Sequence, residues 1–344
     1  MLKSLLILLA IAAPIHLGRS VNPRMAVLEE EQRDGYKCQL VEYNVSRTER
    51  VKAYLLVPDG ASASSRKPAL VLLHDHGARF DIGKEKLVRP MPSAPENIKL
   101  SSRQWIDVNF DGVYFGDKLA AMGYVVIVPE QLYWGGRSSK LCQKWSRMKF
   151  CGEKGNIDSV SNAVYEGQRA VYDSLLSTRG VIWAEQTLNE DAAAARLLKR
   201  LDFVDGRNIG CFGWSMGAHR SWLLAAFCKD IKAGSALCWM TLKETCANPY
   251  KASDYSMLIP AFRDKYDFPD IAIWMAPKHF FFLSGSQDKL FPVWSVESSF
   301  KRMNGIYAKD GAEGNLKTEF FDGPHHCGLE VQKRISDYLD SQLR

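Results

Sequence analysis

A serine hydroxyl becomes a useful nucleophile only when a base takes its proton and a carboxylate orients that base. Gly213-Trp214-Ser215-Met216-Gly217 offers the serine. The apolar run Ile209–Phe212 leads into this pentapeptide, and a helical pattern, Ala218–Cys228, leads out of it. Strand, G-x-S-x-G turn and helix together make a nucleophile elbow. The turn is so sharp that only small residues fit beside the serine, which accounts for Gly213 and Gly217. The helix that follows presents its N-terminus to negative charge developing on a substrate carbonyl.

The partners of such a serine follow it in the order acid, then base. Asp288 is the candidate acid, in Ser284-Gly285-Ser286-Gln287-Asp288-Lys289-Leu290-Phe291-Pro292, directly after an apolar strand pattern. Asp264, Asp267 and Asp270 stand nearer the serine but in a polar stretch with no strand before it. The candidate base lies in Asp322-Gly323-Pro324-His325-His326-Cys327-Gly328, again after a strand. Neighbours in an extended loop point in opposite directions, so one of the two histidines can reach Ser215; the residues alone leave open which. An oxyanion hole needs two backbone N–H groups. Met216 is expected to give one, and the loop His76-Gly77-Ala78 the other, with Ala78 the expected donor. His74 and His76 read as loop-shaping residues, so no metal and no cofactor is expected. Trp134 and Arg137, in Tyr133-Trp134-Gly135-Gly136-Arg137, are candidate substrate contacts, the ring stacking on a sugar and the guanidinium meeting a carboxylate. Packing of a lid is the equal alternative for both. Arg79, Lys84 and Lys86 would add positive charge near the same mouth.

These residues need a scaffold. Ala69–Leu73 and Tyr124–Val128 are continuous apolar runs, as expected of strands buried on both faces. Further strands are expected at Ala233–Trp239, His279–Leu283 and Thr318–Phe321, with helices over Val113–Met122, Trp183–Leu201 and Val331–Leu343. Cys38–Val45 and Val51–Val57 alternate and read as a hairpin. Residues 80–110 read as a long polar loop and 130–165 as an irregular insertion or lid. Strands alternating with helices predict an α/β class fold, a mostly parallel sheet covered on both faces. Ligands in such sheets bind outside the carboxyl ends of the strands. The serine, acid, base and oxyanion loops would then share one end of the sheet.

The chain has 344 residues, 46% hydrophobic and 24% charged, with a net charge of +6. That suits a globular protein with a sizeable core and gives no case for a nucleic-acid partner. Residues 1–20 read as a secretory signal, with Lys3 before the apolar run Leu5–Ala13 and small residues Gly18 and Ser20 before a cut. Removing Lys3 and Arg19 would lower the charge from +6 to +4. Residues 21–344 would form one domain, exported to the periplasm or medium, with no stable membrane insertion. Eight cysteines are present. Cys142 and Cys151 are the pair best placed for a disulfide; Cys211, Cys228 and Cys238 lie in apolar runs and read as buried thiols.

The motifs His74-Asp75-His76-Gly77-Ala78-Arg79-Phe80, Gly83-Lys84-Glu85-Lys86, Cys211–Arg220, Ser284–Pro292 and Asp322–Gly328 resemble those of the dienelactone hydrolase-like and acetyl xylan esterase-like α/β-hydrolases. The resemblance covers roughly residues 35–344. It implies an α/β-hydrolase fold and an exported carbohydrate esterase, removing acetyl groups or methyl groups from uronic acids. In relatives with a Pro-His motif the residue after proline is the base, which implies His325. Dienelactone hydrolases proper carry a cysteine where Ser215 stands, so simple ester hydrolysis is implied over lactone opening. The partner expected is a small-molecule or polysaccharide ester. The alternatives are a serine peptidase of the prolyl oligopeptidase type, which would normally bring a propeller repeat, or a binding protein with a dead hydrolase fold.

Overall fold

The computed structural model describes residues 12–18, 21–245 and 252–344. Nine strands form one sheet: β1 Met25–Arg33, β2 Tyr36–Asn44, β3 Arg50–Pro58, β4 Lys67–Leu73, β5 Val125–Pro129, β6 Val204–Trp214, β7 Ala233–Leu237, β8 His279–Gly285 and β9 Leu316–Phe321. Their order is β1-β2-β3-β5-β4-β6-β7-β8-β9. The first three form an antiparallel meander, and β3 joins β5 antiparallel. From β5 onward every neighbour is parallel. The order turns back at β4, with β5 on one side and β6 on the other, so the crevice for a ligand falls at their carboxyl ends.

Among the described residues ten helices flank the sheet: α1 Glu96–Asn109, α2 Phe115–Ala121, α3 Lys140–Phe150, α4 Ile157–Arg179, α5 Trp183–Arg200, α6 Met216–Phe227, α7 Pro260–Asp264, α8 Ala272–Met275, α9 Val293–Lys309 and α10 Leu329–Leu343. Side chains alternate across each strand, so β4 feeds two cores. Ala69, Val71 and Leu73 belong to the core that α5, α6 and α9 cover; Leu70 and Leu72 belong to the core that α1, α2 and α10 cover. That division explains the unbroken apolar run read from the sequence.

Several elements differ from the expectation. Residues 130–165 are largely helical rather than irregular. Ser139 caps α3 by accepting from Cys142 N–H, and the helix buries Cys142, Trp145 and Ser146 as an i, i+3, i+4 stripe. Asn156 caps α4 in the same manner. Lysines between the stripe positions mask this periodicity in the sequence. Residues 80–110 are not a solvated loop either. Phe80–Val88 is buried throughout, and α1 follows. Helix α9 was not expected; Val296, Ser299, Phe300, Met303 and Tyr307 make its buried face.

The described cysteines, Cys142 and Cys151 among them, are all free thiols, so the expected bridge is not formed. Cys142 is buried in α3, whereas Cys151 caps that helix beside Arg79 and Gln104. Cys246 lies outside the described residues, as do 1–11 and 19–20 of the expected signal. Residues 12–18 pack onto the body of the fold. Ile15 is 1% exposed, His16 N–H donates to Glu185, Gly18 N–H donates to Asn189, and the Tyr266 hydroxyl donates to the Ala12 carbonyl. Among the described residues no helix is long and apolar enough to cross a membrane.

Candidate active site

Strand β6 ends at Trp214 and α6 begins at Met216, leaving Ser215 alone in the turn with φ 56° and ψ −125°. Positive φ in a non-glycine residue costs on the order of 1–3 kcal/mol and persists only where the surroundings enforce it. Here Ser215 N–H donates to Leu237 carbonyl at 2.8 Å, and the Ser215 carbonyl accepts from Ala218 at 2.8 Å. A Cβ on Gly217 would stand 1.9 Å from the Leu73 oxygen, and one on Gly213 1.9 Å from the Gly217 oxygen. Both glycines are therefore required by the close approach of backbone.

The acid and base loops leave β8 and β9, two parallel neighbours, and are zipped together. Ser286 N–H donates to the Phe321 carbonyl and Gln287 N–H to that of Gly323, each at 2.9 Å. The Ser286 and Gln287 side chains both donate to Asp322. Within that frame Asp288 Oδ2 meets His325 Nδ1 at 2.7 Å, while Oδ1 accepts Leu290 N–H at 2.8 Å. An ionised Asp288 fixes the proton on Nδ1 and leaves Nε2 as the lone-pair nitrogen. The His325 ring lies 5.2 Å from that of Trp214, next to the serine, and 6.1 Å from that of Phe291. His326 turns the other way and pairs with Asp111 at 3.3 Å. The two histidines thus point apart, as an extended loop requires, and His325 is the one held by Asp288 of the neighbouring loop.

Three residues expected at the site are used otherwise. Ala78 holds φ 53°, but its N–H donates to His76 Nδ1 at 3.0 Å and so is not turned to a substrate. Trp134 is fully buried, and its indole N–H donates to the His76 carbonyl at 3.0 Å. It packs on Phe80 and Tyr133 instead of offering a face to a sugar. Arg137 forms a bidentate pair with Glu190 at 2.5 and 2.8 Å, and donates to the Glu130 carbonyl. Both terminal nitrogens of its fork are engaged by Glu190, so its charge is already paired with an internal carboxylate.

The cations Arg79, Lys84 and Lys86 are likewise buried beneath the mouth and not spread around it. Lys84 pairs with Glu85 at 2.7 Å and Glu130 at 3.1 Å. His74 is neutral: burial, then the neighbouring Arg220 and Lys86, hold its pKa well below the usual value. Its Nε2 accepts Gln131 N–H, so Nδ1 carries the proton and donates to the Asp75 carbonyl.

Cys238 is the buried thiol expected of it, but nothing in the sequence points to its place at this site or to the aromatic wall. Cys238, directly after β7 with φ 55°, has its Sγ within 4.8 Å of both the Asp288 carboxylate and a His325 nitrogen. Burial pushes that thiol's pKa up, so it is protonated. Trp105, Phe110 and Trp214 pack together behind His325. Trp214 occupies the variable position of G-x-S-x-G, which no motif singles out. Exposed near the acid are Leu290 and Trp294, 59% and 53% accessible. A wide groove lined by Arg66, Arg200, Arg207 and Lys229 opens at the starts of β4, β6 and β7, the opposite end of the sheet from this chemistry.

No protein-family model matches the chain. It is 23% identical over 296 residues to a Bacillus subtilis (strain 168) protein named "Putative hydrolase YtaP", covering 86% of this chain and 83% of that one. Its fold matches a Bacteroides fragilis NCTC 9343 structure described as a "putative acetyl xylan esterase", with TM-score 0.63 and 18% identity over 88% of this chain and 70% of that one. A glucuronoyl esterase from Solibacter usitatus matches with TM-score 0.63 and 12% identity, over 95% and 88%. Dipeptidyl peptidase 4 of Porphyromonas gingivalis matches with TM-score 0.54 and 15% identity, over 90% of this chain but 36% of that one. The chain has the α/β-hydrolase fold.

Proposed function

We propose that the protein is a serine hydrolase of carboxylic esters carried on carbohydrates, and that Ser215, His325 and Asp288 do the chemistry. The observation that carries this reading is the 2.7 Å contact between His325 and Asp288 in loops zipped at the carboxyl end of the sheet that carries the Ser215 elbow. In the first step His325 Nε2 takes the Ser215 proton as the oxygen attacks the ester carbonyl, and then gives it to the departing alcohol. An acyl-serine remains. Water, deprotonated by the same nitrogen, then releases the acid and restores the serine. Asp288 holds the ring and stabilises its cation. Met216 N–H, at the start of α6, supplies one donor to the oxyanion.

Sugar esters are favoured because the neighbours named for xylan acetyl and glucuronoyl esters share this fold and span most of this chain. Leu290 and Trp294 support it too: an exposed indole in the first turn of α9, directly after the acid loop, is a surface on which a sugar ring can stack. Arg137 gives no support to a uronate substrate, because Glu190 occupies it. The Leu5–Ala13 run is our reason for placing the activity outside the cytoplasm.

The test is hydrolysis of 4-nitrophenyl acetate, acetylated xylan and methyl-esterified pectin, with a dipeptidyl 4-nitroanilide alongside. We expect ester turnover that falls by about 10⁴-fold or more in Ser215→Ala. Turnover of the anilide alone would establish the peptidase reading instead. Equal ester turnover in parent and Ser215→Ala would remove Ser215 from the mechanism.

A further inference from the structure

The loop after β4 contains a buried ammonium that the proposed mechanism does not use. Lys86 is 0% exposed. Its Nζ donates to the Asp75 carbonyl at 2.9 Å and the His76 carbonyl at 2.8 Å, with the Asp75 carboxylate 3.5 Å away. It stands 5.1 Å from the Trp105 ring. The His76 carbonyl also accepts the Trp134 indole N–H. Two donors therefore pull one peptide oxygen toward the interior.

A trans peptide is planar, with its C=O and N–H antiparallel. Drawing the His76 oxygen inward therefore turns the Gly77 N–H outward. Among the described residues that N–H meets no acceptor. Position 77 must be glycine for this: its φ is 52°, and a Cβ would lie 2.3 Å from Trp105 and 2.7 Å from the Asp75 carboxylate. The same loop starts against the elbow, since a Cβ on Gly217 would stand 1.9 Å from the Leu73 oxygen and 3.1 Å from the His74 oxygen. Ala78, the alternative donor, is committed to His76.

We infer that Gly77 N–H is the second oxyanion donor, and that Lys86 is the positioning residue that aims it. This rests on the ester-hydrolase reading above. Lys86 acts through the peptide and touches no substrate. Its charge also lies under the peptide whose dipole faces the developing oxyanion, where low dielectric strengthens the effect. The charged and titratable groups facing it are Asp75, Asp81, Arg79 and His74, with His325 acting on Asp75 from the base loop.

The experiment compares Lys86→Met with the parent on 4-nitrophenyl acetate, with thermal melting as the check on folding. Removing an oxyanion donor outright costs roughly 10²–10³ in kcat; misaiming one is expected to cost roughly 10–100-fold, with KM changed less than threefold. A folded variant whose kcat falls less than tenfold overturns the inference. If Lys86→Met does not fold, Lys86→Gln is measured in its place: it is uncharged and too short to hold both carbonyls, and a folded Lys86→Gln whose kcat falls less than tenfold overturns the inference. A parent that hydrolyses no ester refutes the ester-hydrolase reading, whereas an active parent with an equally active variant refutes only the role of Lys86.

Discussion

Two adjacent histidines, one of them the proposed base, differ in what their rings meet. His325 and His326 share a backbone, yet one meets Asp288 at 2.7 Å and the other Asp111 at 3.3 Å. The difference is direction, set by alternation along an extended loop. His325→Ala should therefore lower kcat/KM on 4-nitrophenyl acetate by about 10³-fold or more, whereas His326→Ala should stay within about tenfold. The reverse ranking would give the role to His326. The residue types needed for the chemistry were legible in the sequence because each sits in a distinctive loop after a strand. For Trp134 and Arg137 the packing alternative holds over substrate contact, and the expected Ala78 N–H is engaged by His76, all for a common reason. Loop composition shows what a side chain or N–H can do, but not which neighbour has already engaged it. Glu190, which fills Arg137, lies 53 residues away in α5.

At the scale of elements, the elbow works because backbone approaches backbone. Leu73 ends β4, and its carbonyl leaves room for a hydrogen but not a carbon at position 217. Gly217→Ala should therefore displace α6 from β4. We expect a loss of about 3 kcal/mol of stability, read as a lower denaturant midpoint, together with loss of ester turnover. A variant as stable and active as the parent would show that β4 and α6 can separate freely. Element prediction succeeded where burial is continuous, as in β4 and β5, and where periodicity is clean, as in α5 and α10. It failed for α3 and α9. Their buried stripes include serines, Ser146 and Ser299, that count as polar in a pattern but pack as small residues. It failed again for residues 80–88, where Lys84 is buried because it pairs with both Glu85 and Glu130 inside the fold.

For the whole molecule, residues 12–18 bear on what form of the chain is most stable. Ile15 is buried against the core, and backbone N–H groups of His16 and Gly18 are held by α5. Full burial of an aliphatic side chain is worth about 1.5–3 kcal/mol. A chain starting at residue 21 should melt a few degrees below one that retains residues 12–18. Equal melting temperatures would mean that this segment adds nothing to stability. The sequence by itself determined the fold class and the order of the loops that carry Ser215, Asp288 and His325, because strand patterns and the loops after them are local features of the chain. It also showed glycine on both sides of Ser215, because the motif is local, but the Leu73 carbonyl that excludes a Cβ at position 217 comes from distant β4. Tertiary structure alone decided which histidine an acid orients, which cations are spent on internal carboxylates, and which loop N–H is left unpaired. Those outcomes depend on contacts between segments far apart in the chain, such as Asp288 with His325, Arg137 with Glu190, and Lys86 beneath the carbonyls of Asp75 and His76.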